Sequence, residues 1–112
     1  MDRIGWNEFL AVELRAGTIV EVEPFPEARV PAFKLTVDFG PEIGRLRSSA
    51  GITDLHDEAS LRGRQVIAAV NLGSKQIGPF VSECLVTGFR RADGAVVLAV
   101  PDSPVHDGAR LE

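Results

Sequence analysis

At 112 residues the chain has room for one compact domain with a modest core, residues 1–112, and not for two. Apolar residues make up 45% and charged residues 25% of it, which excludes a disordered or low-complexity class; the longest apolar run, Val66 to Val70, is far too short to cross a bilayer, so no membrane insertion is expected. The net charge of −4 argues by itself against a phosphate-rich partner.

The residues Asn7 to Val12 read as a short helix capped by Asn7, with Trp6, Phe9 and Leu10 close together. A first strand is expected over Leu14 to Glu23, with Thr18, Val20 and Val22 on one face and Ile19, Glu21 and Glu23 on the other; Pro24-Phe25-Pro26 ends it. The clearest alternation runs from Ala32 to Phe39, where Phe33, Leu35, Val37 and Phe39 point inward and Lys34, Thr36 and Asp38 outward. Gly40-Pro41 turns the chain into a third strand near Ile43 to Ala50. Asp57 to Leu61 reads as one or two helical turns stopped by Gly63, followed by a central strand from Arg64 to Asn71 that is apolar on both faces. A loop carrying Lys75 leads to Ser82, and Cys84 to Phe89 pairs with Ala95 to Val100 across a reversal at Asp93-Gly94. The turn-rich end, Pro101 to Glu112, has Val105 and Leu111 as its anchors. Five to seven short strands with a helix between the third and fourth make an all-β chain with small α content, which suggests a small barrel of the oligonucleotide/oligosaccharide-binding (OB) type.

Charge is unevenly placed. Residues 1–28 hold two bases against six acids, residues 92–112 one base against four acids, and residues 29–91 nine bases against six acids. A basic centre between acidic ends is compatible with one cationic face, and equally with an ordinary mixed surface.

Catalytic and metal-binding patterns are lacking. His56 and His106 have no ligand spacing to each other or to Cys84, so no metal site and no cofactor is expected. Ser48-Ser49 and Ser82 lack a nucleophile elbow, and no glycine pattern cradles phosphates. Cys84, the one cysteine, opens an apolar strand with no base beside it and reads as an inert buried thiol; it cannot form an internal disulfide, which fits a reducing cytosol. Without an acid, base or metal set in the pattern no enzyme is expected, and Met1 to Gly5 carries no signal core, so a cytoplasmic protein is expected.

Four segments, Pro26 to Gly40 (PEARVPAFKLTVDFG), Ser48 to Thr53 (SSAGIT), Gly63 to Ile77 (GRQVIAAVNLGSKQI) and Ser82 to Val86 (SECLV), occur in an order and spacing that resemble the tRNA-binding domain family, and within it the CsaA group of small chaperone-like proteins. The resemblance runs from about Phe9 to Leu111. It implies a five-stranded OB-fold barrel with an N-terminal helix and extra C-terminal strands, assembled as a homodimer. It also implies an export-related chaperone that binds non-native or precursor polypeptides and meets a protein-export component, with tRNA or RNA binding in the same cleft as the alternative.

On these residues, Phe33, Phe80 and Leu85 are expected to line an apolar cleft, and Lys34, Arg45, Arg47 and Lys75 to give it a cationic rim, with Arg29 flanking the site. Ser48, Ser49, Asn71, Ser82 and Glu83 complete the matched motifs. Asn71 has a second reading as a side chain satisfying backbone groups at a strand end, and Ser82 and Glu83 as ties that pin a loop. Trp6, Phe9 and Leu10 are costly to leave in water and are assigned to the dimer interface.

Departures from the tRNA-binding pattern are specific. Val30-Pro31-Ala32 stands where an Asp-Lys-Leu with an RNA-contacting lysine is usual, Lys75-Gln76 keeps one of two adjacent bases, and Cys84-Leu85 replaces Gly-Met. These follow the CsaA pattern and move the expected ligand from tRNA toward polypeptide.

Overall fold

The computed structural model of the chain describes all residues, 1–112. After the helix α1 (Trp6–Ala11) come the strands β1 (Leu14–Pro24), β2 (Phe33–Asp38) and β3 (Arg45–Ala50). The one-turn helix α2 (Glu58–Leu61) leads to β4 (Gln65–Ala69), β5 (Lys75–Ile77), β6 (Phe80–Ser82), β7 (Leu85–Val86), β8 (Gly88–Arg90) and β9 (Val96–Leu98). The main sheet is antiparallel with order β3-β2-β1-β4-β7, while β5–β6 and β8–β9 are two-stranded hairpins.

The sheet curls into a nearly closed barrel of the OB type. Its seam is made by the chain between β6 and β7, whose Glu83 and Cys84 N–H groups both donate to the Arg47 carbonyl (2.7 and 3.3 Å), while the Ser49 N–H donates to Ser82 Oγ (3.3 Å). Closure of this kind removes a bare edge from β3 without a full ladder.

The long β1 serves two neighbours: Leu14 to Thr18 pair with β4, and Thr18 to Pro24 with β2. A bulge between Ile19 and Glu21 reverses the side-chain phase within the strand. The expected face of Thr18, Val20 and Val22 is therefore wrong in part: Ile19 is fully buried with Val22, Val20 is half-buried, and Glu21 and Glu23 stay outside. In β2 the expected alternation holds, with Leu35, Val37 and the following Phe39 in the core and Phe33 packed against it. Leu61 of α2, fully buried, joins this cluster. The helix start is fixed by reciprocal bonds in which the Ser60 N–H donates to Asp57 Oδ1 and the Asp57 N–H to Ser60 Oγ.

Other expectations shift. The helix α1 starts after Gly5, not Asn7, because Glu8 reaches back and accepts the Gly5 N–H (2.7 Å), leaving Asn7 inside the first turn. Ile43 lies in a turn, where the Gly44 N–H donates to the Gly40 carbonyl, so β3 starts only at Arg45. The expected continuous strand from Cys84 to Phe89 breaks at Thr87, whose N–H and hydroxyl both donate to the Ile67 carbonyl (3.0 and 2.7 Å).

Val105 and Leu111 do not anchor the tail by burial, since both side chains are exposed. Polar groups hold it instead. Gln65 donates from Nε2 to the Val105 carbonyl and accepts the Val105 N–H, and Thr18 donates its hydroxyl to Asp107 (2.7 Å). The backbone of residues 108–111 then bonds to Leu14 and Ala16, on the part of β1 that β2 leaves free. No helix is long and apolar enough to cross a membrane.

Candidate binding site on the outer face of the barrel

The alternation of β2 and β3 decides what can meet. In register, Lys34 lies opposite Ser49, Thr36 opposite Arg47 and Asp38 opposite Arg45, so all six project from the outer face of the barrel. Phe33 and Ser48 point the other way: Phe33 packs against the core, and Ser48 is buried with its hydroxyl on the Ser49 carbonyl (3.3 Å).

Over this outer face folds the segment that reads as a loop in the sequence. It is a β-hairpin, with Lys75 paired to Ser82, Gln76 to Val81 and Ile77 to Phe80. Gly78, at φ +56°, and Pro79 make its two-residue reversal, a Gly-first turn that the sequence carried as a signal. Cross-strand partners share a face, so Lys75, Ser82, Ile77 and Phe80 are together on one side of this arm.

Phe80 is the arm's point of attachment. Its ring is buried and packs at 5.4 Å and a 56° tilt on Phe25, which stands between Pro24, the last residue of β1, and Pro26. The prolines on either side of Phe25 offer no N–H to continue a ladder, and an aromatic ring is costly to leave in water, which together mark Phe25 as a ring buried beyond the strand end. Two cations cover the pair. Lys34 Nζ lies 5.0 Å from the Phe25 centroid and 5.9 Å from that of Phe80, and the Arg47 guanidinium carbon is 4.4 Å from Phe80. Neither cation takes part in a salt bridge, whereas Arg45 is bridged to Asp38 (3.5 Å).

The remaining candidates separate by role. Asn71 accepts the Glu13 N–H and donates to the Ala11 carbonyl, both at 2.8 Å, which uses its amide to tie the α1–β1 connection to the end of β4. Glu83 Oε1 accepts the Arg47 N–H (3.0 Å), and Ser82 Oγ accepts that of Ser49, so both pin the seam. Leu85 is exposed on β7 opposite Ala69, and Arg29 is exposed in the turn before β2. Lys34, Arg47, Ser49, Lys75, Phe80 and Ser82 are brought together; Phe33, Ser48 and Asn71 are not.

Cys84 is buried beneath this seam, its Sγ directed at the Arg47 carbonyl (3.8 Å). Burial, and secondarily the Glu83 carboxylate, push the thiol up to about 12 against an opposing hydrogen bond with Ser48. No group of three or more His, Cys, Asp or Glu side chains is placed to hold a metal ion. Away from this face, Trp6, Phe9 and Leu10 are all exposed, and α1 buries none of its residues.

Comparison with known proteins agrees with this architecture. Residues 14–110 match the family model described as "Putative tRNA binding domain". The chaperone CsaA of Bacillus anthracis superposes with a TM-score of 0.93 at 40% identity, covering 99% of this chain and 100% of that one. A CsaA chaperone protein from Picrophilus torridus gives 0.92 at 41% identity, covering 98% and 100%. Among curated relatives, the methionine–tRNA ligase of Thermococcus kodakarensis is 31% identical over 112 residues and that of Bacteroides fragilis (strain YCH46) 27% over 110, which is 99% and 97% of this chain. The chain spans only 14% and 16% of those two ligases' lengths. Matched over nearly its whole length in sequence and in fold, the chain belongs to the tRNA-binding domain family and is a CsaA-like protein.

Proposed function

We propose that the protein is a molecular chaperone that holds non-native or precursor polypeptides on the outer face of β2 and β3, acting as a homodimer in the cytoplasm and passing precursors to an export component. The observation that carries the polypeptide reading is the burial of both aromatic rings of the site, Phe25 and Phe80, beneath Lys34 and Arg47. Single-stranded nucleic acid is held by stacking bases on exposed rings within a basic groove. Here no ring is offered, and Glu23 and Glu21 lie opposite Lys34 and Thr36 across the β1–β2 ladder, which limits the positive field. An extended polypeptide instead finds two cations without carboxylate partners and hydrogen-bonding groups along the face.

The dimer rests on α1. Six residues are too few for a stable isolated helix, and Trp6, 86% exposed, stands on it with nothing of its own chain to cover it. A second copy covers both costs and sets two sites on one particle, so a client spanning them gains avidity.

The test is suppression of aggregation when a chemically unfolded protein is diluted into buffer with a stoichiometric amount of the dimer, followed by light scattering. Delay of aggregation supports the reading, and failure with several unrelated unfolded proteins rejects it. The family match favours tRNA as the second reading; it requires affinity for tRNA that falls steeply with salt.

A further inference from the structure

We propose that the space over Phe25, filled by the Phe80 ring, is a subsite for an aromatic side chain of the bound polypeptide, and that Phe80 is its internal occupant, displaced when a client Phe, Tyr or Trp enters. The inference rests on the polypeptide reading above and names the side-chain class that this face selects.

The attachment of the arm carries it. Between Leu72 and Val81 Phe80 is the one buried side chain, and the β5–β6 ladder pairs only with itself. Within the arm itself the hydrogen bond to the barrel wall is that from the Ser49 N–H to Ser82 Oγ, long at 3.3 Å, while the firm bond from the Glu83 N–H to the Arg47 carbonyl (2.7 Å) holds the chain just beyond it. Glycines bracket β5, Gly73 (φ +85°) and Gly78 (φ +56°), at backbone conformations that L side chains rarely adopt, and neither is packed against another part of the chain.

The chemistry of the pocket is that of an aromatic ring. A tilted ring contact on Phe25 and two cations, Lys34 and Arg47, over π-faces are interactions an aliphatic chain does not reproduce. Exchanging Phe80 for a client's ring removes and restores similar apolar burial and the same cation–π contacts. The exchange is then nearly balanced, and the client's further contacts decide it. Phe80 itself, lifted with the arm, becomes an apolar surface on the other side of the bound chain.

Two probes test this. Reduced, carboxymethylated lactalbumin, a soluble unfolded polypeptide, is titrated against the wild type, Phe80→Ala and the double variant Phe80→Ala/Phe25→Leu. Removing the internal occupant raises the competent fraction, so Phe80→Ala is expected to bind about three- to tenfold more tightly, and the double variant to lose that gain. Equal or weaker binding by Phe80→Ala overturns the proposal while leaving the polypeptide reading standing. In the second arm, amide hydrogen exchange of the wild type is followed with N-acetyltryptophanamide, N-acetylleucinamide or adenosine monophosphate at millimolar concentration. Faster exchange in residues 74–82 with the tryptophan amide alone, the β1, β2 and β4 amides being unchanged, supports the subsite even if lactalbumin does not bind. No acceleration, or acceleration by the nucleotide alone, overturns it.

Discussion

The guanidinium carbon of Arg47, on the wall of the barrel, lies 4.4 Å from the ring centroid of Phe80, on the arm that folds over that wall. A cation–π contact is worth about 0.5–1 kcal/mol at an exposed site and ~2 when desolvated. This pair therefore both steadies the arm and holds a positive charge ready beside it. Arg47→Ala and Lys34→Ala are each expected to weaken binding of an unfolded polypeptide about two- to fivefold, with thermal unfolding of the barrel little changed. Arg91→Ala serves as the comparison, because Arg91 is bridged to Asp93 at the tip of the β8–β9 hairpin. Isothermal titration with the three variants checks the order.

Salt separates the two ligand classes. A tRNA held through Lys34 and Lys75 gives an affinity that falls steeply with salt, and removing either base flattens the slope by about one counterion. Polypeptide binding through ring contacts and apolar burial gives a shallow slope. Titrating both ligands at several salt concentrations is expected to show the shallow behaviour for the tighter of the two.

Trp6 and Phe9 are expected to be interface residues between two copies of the chain. Wild-type protein at micromolar concentration sediments as a dimer on this reading, and Trp6→Glu/Phe9→Glu as a monomer that keeps its barrel, since neither side chain is buried in its own subunit. Analytical ultracentrifugation together with circular dichroism reads both. A monomeric wild type removes the avidity argument.

The Cys84 thiol is expected to be inert in the folded protein, because its thiolate is disfavoured by burial and by Glu83. Iodoacetamide at pH 8 should label it only on unfolding. The folded pKa, about 12, lies above the ordinary 9.0, so the contribution to stability is fully present below pH 9 and is lost as pH rises toward about 12. Across that range the denaturant midpoint of the wild type is expected to fall more steeply with pH than that of Cys84→Ala.

Gly17 tests the packing of the core rather than the site. A Cβ there would stand 2.7 Å from the Phe39 ring and from Val37 Cγ1, both in fully or nearly fully buried side chains that cannot move aside. Gly17→Ala is expected to destabilise the barrel by about 1–3 kcal/mol, the usual cost of overpacking. Gly51→Ala, at ordinary contact distance from the Pro31 carbonyl, should cost much less. Urea denaturation of the two variants gives the comparison.

What the sequence determined by itself is whatever depends on neighbours a few residues apart. The alternation of Phe33, Leu35, Val37 and Phe39 selects the faces of β2 because side chains in a strand repeat every two residues. The capping pair Asp57 and Ser60 and the reversal at Asp93-Gly94 are equally local, and the four family segments are enough to identify an OB barrel. Tertiary structure decided the rest. Ile19 is buried because a bulge in β1 is set by its pairing with β2, which no count along β1 reveals. Asn71 is occupied by Glu13 and Ala11, residues nearly sixty positions away, and so leaves the site that its motif suggested. Phe25, Lys34, Arg47 and Phe80 come from four separate stretches of chain, and only the closure of the barrel and the fold of the arm across it bring two rings and two cations together. Local patterns report the backbone's own periodicity, whereas a binding face is made by contacts between segments whose separation in sequence carries no trace of their distance in space.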